Sequence, residues 1–303
     1  MTAVFWRAED TRLSLERDGA DWPNRQASAL IEAHGLRWHV QIMGDGPGLL
    51  LLHGTGASTH SWRALAPLLA RRFRVVAPDL PGHGFTPTRG AATQSPPGMA
   101  RALTALLAKM GFSPQIVVGH SAGVAVLARL CLDGAIKPKL LVSLNGALEP
   151  FGGAGGHVFP TLAKLVFLNP LTPRFFAWTA NRETVSRLLD GTGSRIEPEG
   201  IDLYWRLFRN PAHVEGALGM MANWDLGPLR REFSKLETRV ALVAATNDLT
   251  IPPATARRVK PLLPSAELVE IAGLGHLAHE EAPERFADLV AGLASRATLN
   301  LGA

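Results

Sequence analysis

Apolar residues along this chain fall into two kinds of run, and their order predicts an architecture. Short continuous apolar stretches bounded by glycines or turn residues recur at 49–52, 74–77, 115–118, 140–144, 240–244 and 267–271. A strand covered on both faces reads this way, whereas a half-exposed strand alternates, so these stretches predict a buried, mostly parallel sheet. Between them lie longer segments with helical character at 61–70, 98–110, 122–132, 254–262 and 284–294. Strands and helices alternating at this spacing predict a doubly wound α/β fold. Ahead of the first buried strand, segments 28–32 and 36–42 flank His34-Gly35, and Trp38, Val40 and Met43 supply apolar side chains, which predicts an antiparallel hairpin.

One segment breaks the alternation. From Ala147 to Phe233 the strand signals stop, and Gly152-Gly153-Ala154-Gly155-Gly156 and several prolines interrupt helical fragments rich in Phe, Trp, Leu and Met. The chain therefore divides into an α/β core over 1–147 and 233–303 and an inserted helical lid over 148–232. The lid's aromatic residues, among them Phe151, Phe159, Phe167, Phe175, Phe176, Trp178 and Trp224, either build a small core of their own or face a substrate beneath them. The segment Asp21-Trp22-Pro23 has turn character and no role derivable from sequence, and the tail 296–303 is expected to fray.

Composition narrows the function classes. The net charge of +5 comes from arginines scattered singly or in pairs, such as Arg71-Arg72 and Arg257-Arg258, without the dense basic run a nucleic-acid surface needs. The single cysteine, Cys131, rules out an internal disulfide and lies among Leu127, Leu130 and Leu132 as an expected core residue. The first ten residues carry no apolar leader segment, so a cytoplasmic location is expected. The most apolar long stretch, 158–178, is broken by Pro160, Lys164, Pro170, Pro173 and Arg174, which leaves weak peripheral contact as the membrane association to expect.

Open α/β sheets hold ligands at the carboxyl ends of their strands, and several of these ends carry chemistry. Gly119-His120-Ser121-Ala122-Gly123 is a G-x-S-x-G turn between a strand and a helix, which lifts one serine hydroxyl to an apex. Asn247-Asp248 follows 240–244, and Gly275-His276 follows 267–271, giving the order Ser121, Asp248, His276. A serine is a poor nucleophile without a base to take its proton; His276 is the expected base and Asp248 the carboxylate that orients it. Glu149, after the strand at 140–144, competes for the acid role. His53-Gly54-Thr55-Gly56 follows the first buried strand, and the backbone N–H groups of Thr55 and Ala122 are the expected donors to a developing oxyanion. His53, Gly54, Gly56, His120, Phe151, Trp178 and Trp224 are the expected pocket residues. His83 is expected to structure its loop, and His60-Ser61-Trp62 to shape the pocket or open a helix. His276-Leu277-Ala278-His279-Glu280 does not match the H-E-x-x-H or H-x-x-E-H spacing of zinc sites, and neither metal nor cofactor is expected.

With Asp79-Leu80-Pro81-Gly82-His83-Gly84 added to these motifs, the sequence resembles the α/β-hydrolase superfamily over nearly its whole length. Within it, Asp21-Trp22-Pro23, Trp38-His39-Val40-Gln41, His53-Gly54-Thr55-Gly56-Ala57, Thr59-His60-Ser61-Trp62, Met220-Met221-Ala222-Asn223-Trp224-Asp225-Leu226 and His276-Leu277-Ala278-His279-Glu280-Glu281 resemble the magnesium chelatase accessory proteins of bacteriochlorophyll biosynthesis. That resemblance implies a role around magnesium insertion into protoporphyrin and magnesium chelatase subunits as partners, but it does not name a reaction. Two readings follow. One is a serine hydrolase acting on an ester of a bulky apolar molecule such as a tetrapyrrole. The other is a porphyrin-binding or chelatase-supporting protein, with Arg174, Arg182 or Arg195 meeting propionates and the triad not required. A generic esterase or carbon–carbon bond hydrolase stays open, whereas a haloalkane-type enzyme needs an Asp where Ser121 stands.

Overall fold

In the computed structural model, which describes residues 12–150, 169 and 171–299, the strands form a single sheet. They are β1 Ser28–Ala33, β2 Leu36–Met43, β3 Gly48–Leu52, β4 Arg74–Pro78, β5 Ile116–His120, β6 Leu140–Leu144, β7 Arg239–Ala245 and β8 Ala266–Ile271. Their spatial order is β1-β2-β4-β3-β5-β6-β7-β8. The pairs β1/β2 and β2/β4 are antiparallel, and every other pair is parallel. This is the doubly wound arrangement of the α/β-hydrolase fold. The hairpin turn has positive φ at both His34 (54°) and Gly35 (68°), the geometry that matches the twist of two antiparallel strands.

The described helices are α1 Leu15–Asp18, α2 Leu65–Leu69, α3 Pro96–Met110, α4 Ala122–Leu132, α5 Thr172–Thr179, α6 Arg182–Asp190, α7 Pro198–Phe208, α8 Pro211–Ala222, α9 Gly227–Arg231, α10 Pro253–Val259, α11 Ala278–Glu281 and α12 Pro283–Leu299. The continuous apolar runs are explained by two cores. Leu50, Leu52, Val117 and Leu141 face the layer of α3 and α4, while Leu49, Leu51, Val118 and Val142 face that of α2 and α12. Half-buried Cys131 packs against the first layer, and burial pushes its thiol pKa up to about 12.

Three elements differ from the sequence expectation. The helix expected over 61–70 is a 3-10 turn, Thr59–Trp62, followed by the short α2; in the turn His60 bonds Ser58, Ser61 bonds His279 and Glu280, and Trp62 enters the core beside Leu49 and Leu51. The helix expected to 262 ends at Val259 and tightens into a 3-10 turn, Lys260–Leu262, where Pro261 supplies no N–H. The last helix runs on to Leu299, since Phe286, Val290, Leu293, Ala294 and Ala297 keep an apolar stripe against the sheet.

The segment Asp21-Trp22-Pro23 has a structural role. Trp22 is buried, donates from Nε1 to Thr59 Oγ1 (3.1 Å), and packs edge-on against Phe85 at 4.9 Å. Arg206 of α7 lies 5.4 Å above the Trp22 ring and pairs with Asp21 at 3.0 Å. The segment thus braces one of the helices inserted between β6 and β7 against the loops beside the sheet. No helix among the described residues is long and apolar enough to cross a membrane.

Candidate active site

Strand β5 ends at His120 and α4 begins at Ala122, so Ser121 alone makes the turn, at φ 50° and ψ −119°. That conformation is strained for a residue with a Cβ and persists only where the surroundings enforce it. The Ser121 N–H donates to Leu144 O (3.0 Å), and its carbonyl accepts from the N–H groups of Val124 (3.2 Å) and Ala147 (3.0 Å). Strand and helix approach too closely for side chains: a Cβ on Gly123 would stand 2.3 Å from Leu52 O, and one on Gly119 2.8 Å from Val124 N.

Asp248 lies just past β7 and is 3 % exposed. Its Oδ1 accepts from the N–H groups of Thr250 and Ile251, each at 2.8 Å, and its Oδ2 accepts from His276 Nδ1 at 2.8 Å. These bonds leave His276 Nε2 as the ring nitrogen available to a proton donor. Among the described residues no hydrogen bond joins it to Ser121 Oγ, although both side chains border one cavity. Glu149 is engaged elsewhere, paired with Arg258 (2.7 Å) and near Arg230 (3.9 Å). Asp248 is therefore the carboxylate that touches the imidazole.

Two further groups fasten these loops, and neither stood out in the sequence. Asn145, buried at the end of β6 with φ 48°, donates from Nδ2 to Gly275 O and His276 O (both 3.0 Å) and accepts from Ala245 N–H (3.0 Å). From the inserted segment, Thr192 O accepts from the N–H groups of Leu249 (3.1 Å) and His276 (3.3 Å), and Ser194 Oγ accepts from Leu277 N–H (2.7 Å). The sequence signal for this wedge is Gly191-Thr192-Gly193-Ser194. A Cβ on Gly193 would fall 1.9 Å from Asn247 O.

The cavity holds about 240 Å³. Ser121, His276, Thr55, Gly56, Ala122 and His120 border it from the sheet side, while Leu188, Leu189, Tyr204, Phe208, Met221 and Trp224 border it from the inserted helices or the turn after them. No Asp, Glu, Lys or Arg is among its described lining residues. Ala122 opens α4, so its N–H has no acceptor within the helix and points with the positive end of the helix dipole. An imidazole oriented by a carboxylate can take a proton from a hydroxyl, and amides at a helix start can hold the negative charge that develops.

Of the other expected pocket residues, His120 lines the cavity, whereas His53, Gly54 and Trp178 are placed differently. His53 and Gly54 lie beneath the cavity and do not line it. His53 donates from Nδ1 to Gly54 O (2.7 Å) and accepts at Nε2 from Leu80 N–H (2.9 Å), so both of its nitrogens are occupied in loop structure. His120 donates from Nε2 to His276 O (2.9 Å), and burial draws its pKa well below the ordinary value. Trp178 does not line the cavity: α5 turns Pro173 and Ala177 inward and leaves Trp178 82 % exposed. Phe151, Phe159 and Phe167 lie outside the described residues. His279 donates from Nε2 to Ser61 Oγ (2.8 Å), and no group of three or more potential ligands positioned for a metal occurs among the described residues.

Comparison with known proteins bears on this geometry. The profile of the alpha/beta hydrolase family matches residues 49–289. The magnesium-chelatase 30 kDa subunit of Rhodobacter capsulatus is 40% identical over 277 residues, spanning 89% of this chain and 95% of that one. A pimeloyl-(acyl-carrier protein) methyl ester esterase of Aeromonas hydrophila is 27% identical over 257 residues, spanning 83% and 96%. In three dimensions, an alpha/beta hydrolase fold protein of Burkholderia ambifaria superposes with a TM-score of 0.71 at 22% identity, covering 87% of this chain and 98% of its own. The match to the family profile and the identity to the Rhodobacter protein lead to one conclusion: the chain belongs to the alpha/beta hydrolase family.

Proposed function

We propose that the chain is a serine hydrolase that cleaves a carboxylic ester on a large apolar molecule, with residues 148–232 acting as its lid. The observation that carries this reading is the strained Ser121 bordering one cavity with an Asp248-oriented His276. Ser121 Oγ attacks the ester carbonyl while His276 Nε2 takes the hydroxyl proton. The oxyanion is held by the N–H groups of Thr55 and Ala122. His276 then returns the proton to the departing alkoxide, and a water, deprotonated by the same nitrogen, releases the acid and frees Ser121.

The cavity limits what enters. At about 240 Å³ it falls below the roughly 300–1,000 Å³ that encloses a drug-sized ligand, and its described lining carries no charged side chain. An uncharged ester arm fits, while the bulk of the substrate stays at the mouth, near exposed Leu188, which lines the cavity. We place that ester on a tetrapyrrole, in (bacterio)chlorophyll biosynthesis around the chelatase step and in the cytoplasm; the magnesium-chelatase name of the Rhodobacter relative supports the pathway. The Aeromonas relative is named for a methyl ester. A fluorophosphonate probe is expected to label Ser121, and porphyrin methyl esters to be cleaved; labelling that persists in Ser121→Ala rejects the assignment.

The word "subunit" in the relative's name favours a second reading, a chelatase-supporting protein whose triad is dispensable, with magnesium chelatase subunits as partners. Complementing a strain that lacks this protein separates the two. Ser121→Ala is expected to leave pigment synthesis unrestored if hydrolysis is the role, and to restore it fully if binding is.

A further inference from the structure

Glu280 sits on α11, shortly after His276, and its side chain is fully buried. A buried carboxyl group is costly unless its lone pairs are filled. Here they are filled from two directions. Tyr204 Oη of α7 donates to Oε1 at 2.7 Å, Ser61 Oγ donates to the same oxygen at 2.7 Å, and Arg63 Nη1 pairs with Oε2. Because Ser61 spends its proton on Glu280, it accepts from His279 Nε2, which closes a chain of bonds running back to the short helix that carries Glu280.

Helix α7 is shaped to receive this cluster. A Cβ on Gly200, in its first turn, would stand 2.5 Å from both Arg63 Nη2 and Ile196 Cγ2, so the guanidinium and the isoleucine share the space a side chain would take. One turn on, the Tyr204 ring forms part of the cavity wall while its hydroxyl is bound to Glu280. The ring meets His60 edge-on at 4.4 Å. The adjoining carboxylate, Glu281, accepts from Gly275 N–H (2.9 Å) and from Arg195 N–H of the inserted segment (3.2 Å). Apolar contacts alone let a helix slide by fractions of an ångström; hydrogen bonds to a buried carboxylate fix one position.

We propose that Glu280 is a positioning residue: through Tyr204 and Arg63 it sets the height of α7, and with it the roof of the cavity, above Ser121. The consequence for substrate choice rests on the serine-hydrolase reading, whereas the mechanical role does not. Tyr204→Phe keeps the ring and removes the hydroxyl, and Glu280→Gln keeps the shape but removes the charge and replaces one of the two acceptor oxygens with an NH2 donor. In each variant, hydrogen exchange of the α7 amides is expected to rise about tenfold or more, the equilibrium worth of a hydrogen bond to a charged group, with β3, β5 and β6 unchanged. With p-nitrophenyl acetate and octanoate, the ratio of the two KM values is expected to change about fivefold or more in both variants, while kcat of Glu280→Gln, which lies outside the cavity lining, stays within about twofold. Loss of folded protein alone lowers both rates equally and leaves the KM ratio in place. Unchanged α7 exchange in both variants, exchange raised uniformly over the sheet, or an unaltered KM ratio overturns the proposal. If the wild type cleaves neither ester, the hydrolase reading fails and the exchange experiment still decides the role of Glu280.

Discussion

The loops at the carboxyl edge of the sheet and the helices above them are fastened by different means. Ser121 is held through Leu144 O, Val124 N–H and Ala147 N–H, and Asp248 through the N–H groups of Thr250 and Ile251. These are largely backbone contacts at van der Waals limits. The helices above add side-chain fastenings, Tyr204 to Glu280, Arg206 to Asp21, and His213 of α8 between Gly84 N–H (3.0 Å) and Gly56 O (3.1 Å), to one close backbone approach, where a Cβ on Gly216 of α8 would stand 1.9 Å from Gly82 O. The first kind of fastening tolerates no added atom. The second tolerates exchange of one side chain for another, so the helices above can change their inner face while the loops that carry Ser121, Asp248 and His276 stay fixed.

The largest effect expected concerns the reactive loops. Asp248→Asn should lower kcat on an activated ester about 10⁴-fold, as when a triad imidazole loses its orienting carboxylate. Glu149→Gln should leave the rate within about twofold, because Glu149 faces Arg258 instead. The reverse pattern in steady-state rates would move the acid to the end of β6 and undo the assignment of the β7 loop.

Next comes a pair of glycines, one in each region. Gly123→Ala should cost about 3 kcal/mol or more, because its Cβ meets the Leu52 and His53 carbonyl oxygens at 2.3 and 2.6 Å and neither can withdraw. Gly200→Ala meets only side chains, Arg63 Nη2 and Ile196 Cγ2, each at 2.5 Å, and should cost less, about 1–2 kcal/mol. Urea denaturation midpoints measure both. Equal losses would erase the distinction between backbone and side-chain fastening.

The same distinction accounts for what the sequence made legible. The sheet and the sites of Ser121, Asp248 and His276 rest on local signals: apolar runs, paired glycines, and a strand end followed at once by a polar residue. Asn145, Ser194 and the Tyr204–Glu280 bond rest on partners between 76 and 131 residues away. A buried asparagine or tyrosine looks like any other until the fold brings its partner to it. Trp178 shows the converse: an aromatic residue in the inserted segment suggested a pocket wall, yet helical phase turned Pro173 and Ala177 inward and Trp178 out.

Acidification should loosen the side-chain fastening. Burial lowers the pKa of His213 from the ordinary 6.5 to about 4 and that of His279 to about 3. Below pH 6.5 the unfolded chain takes up protons at these positions and the folded chain does not. The stability they contribute is therefore whole above 6.5 and is lost as pH falls toward 4. Between pH 7 and 5 each histidine should remove about 1–2 kcal/mol, read as a fall in denaturation midpoint. His213→Asn should flatten that slope, and a midpoint that rises on acidification would contradict the sign.

The smallest expected effect is at Trp178. With 82 % of its surface exposed and no part in the cavity lining, Trp178→Ala should change stability by less than about 0.5 kcal/mol and leave KM for a small activated ester unaltered. A porphyrin methyl ester makes the test sharper, because on the proposed reading only its ester arm enters the cavity of about 240 Å³ and the macrocycle rests on something outside. If Trp178→Ala raises KM for that substrate alone, binding extends from the cavity across the exposed face of α5, and the side-chain-fastened region selects substrate on its outer surface as well as its inner one. If neither KM moves, selection lies with the roof residues that face Ser121.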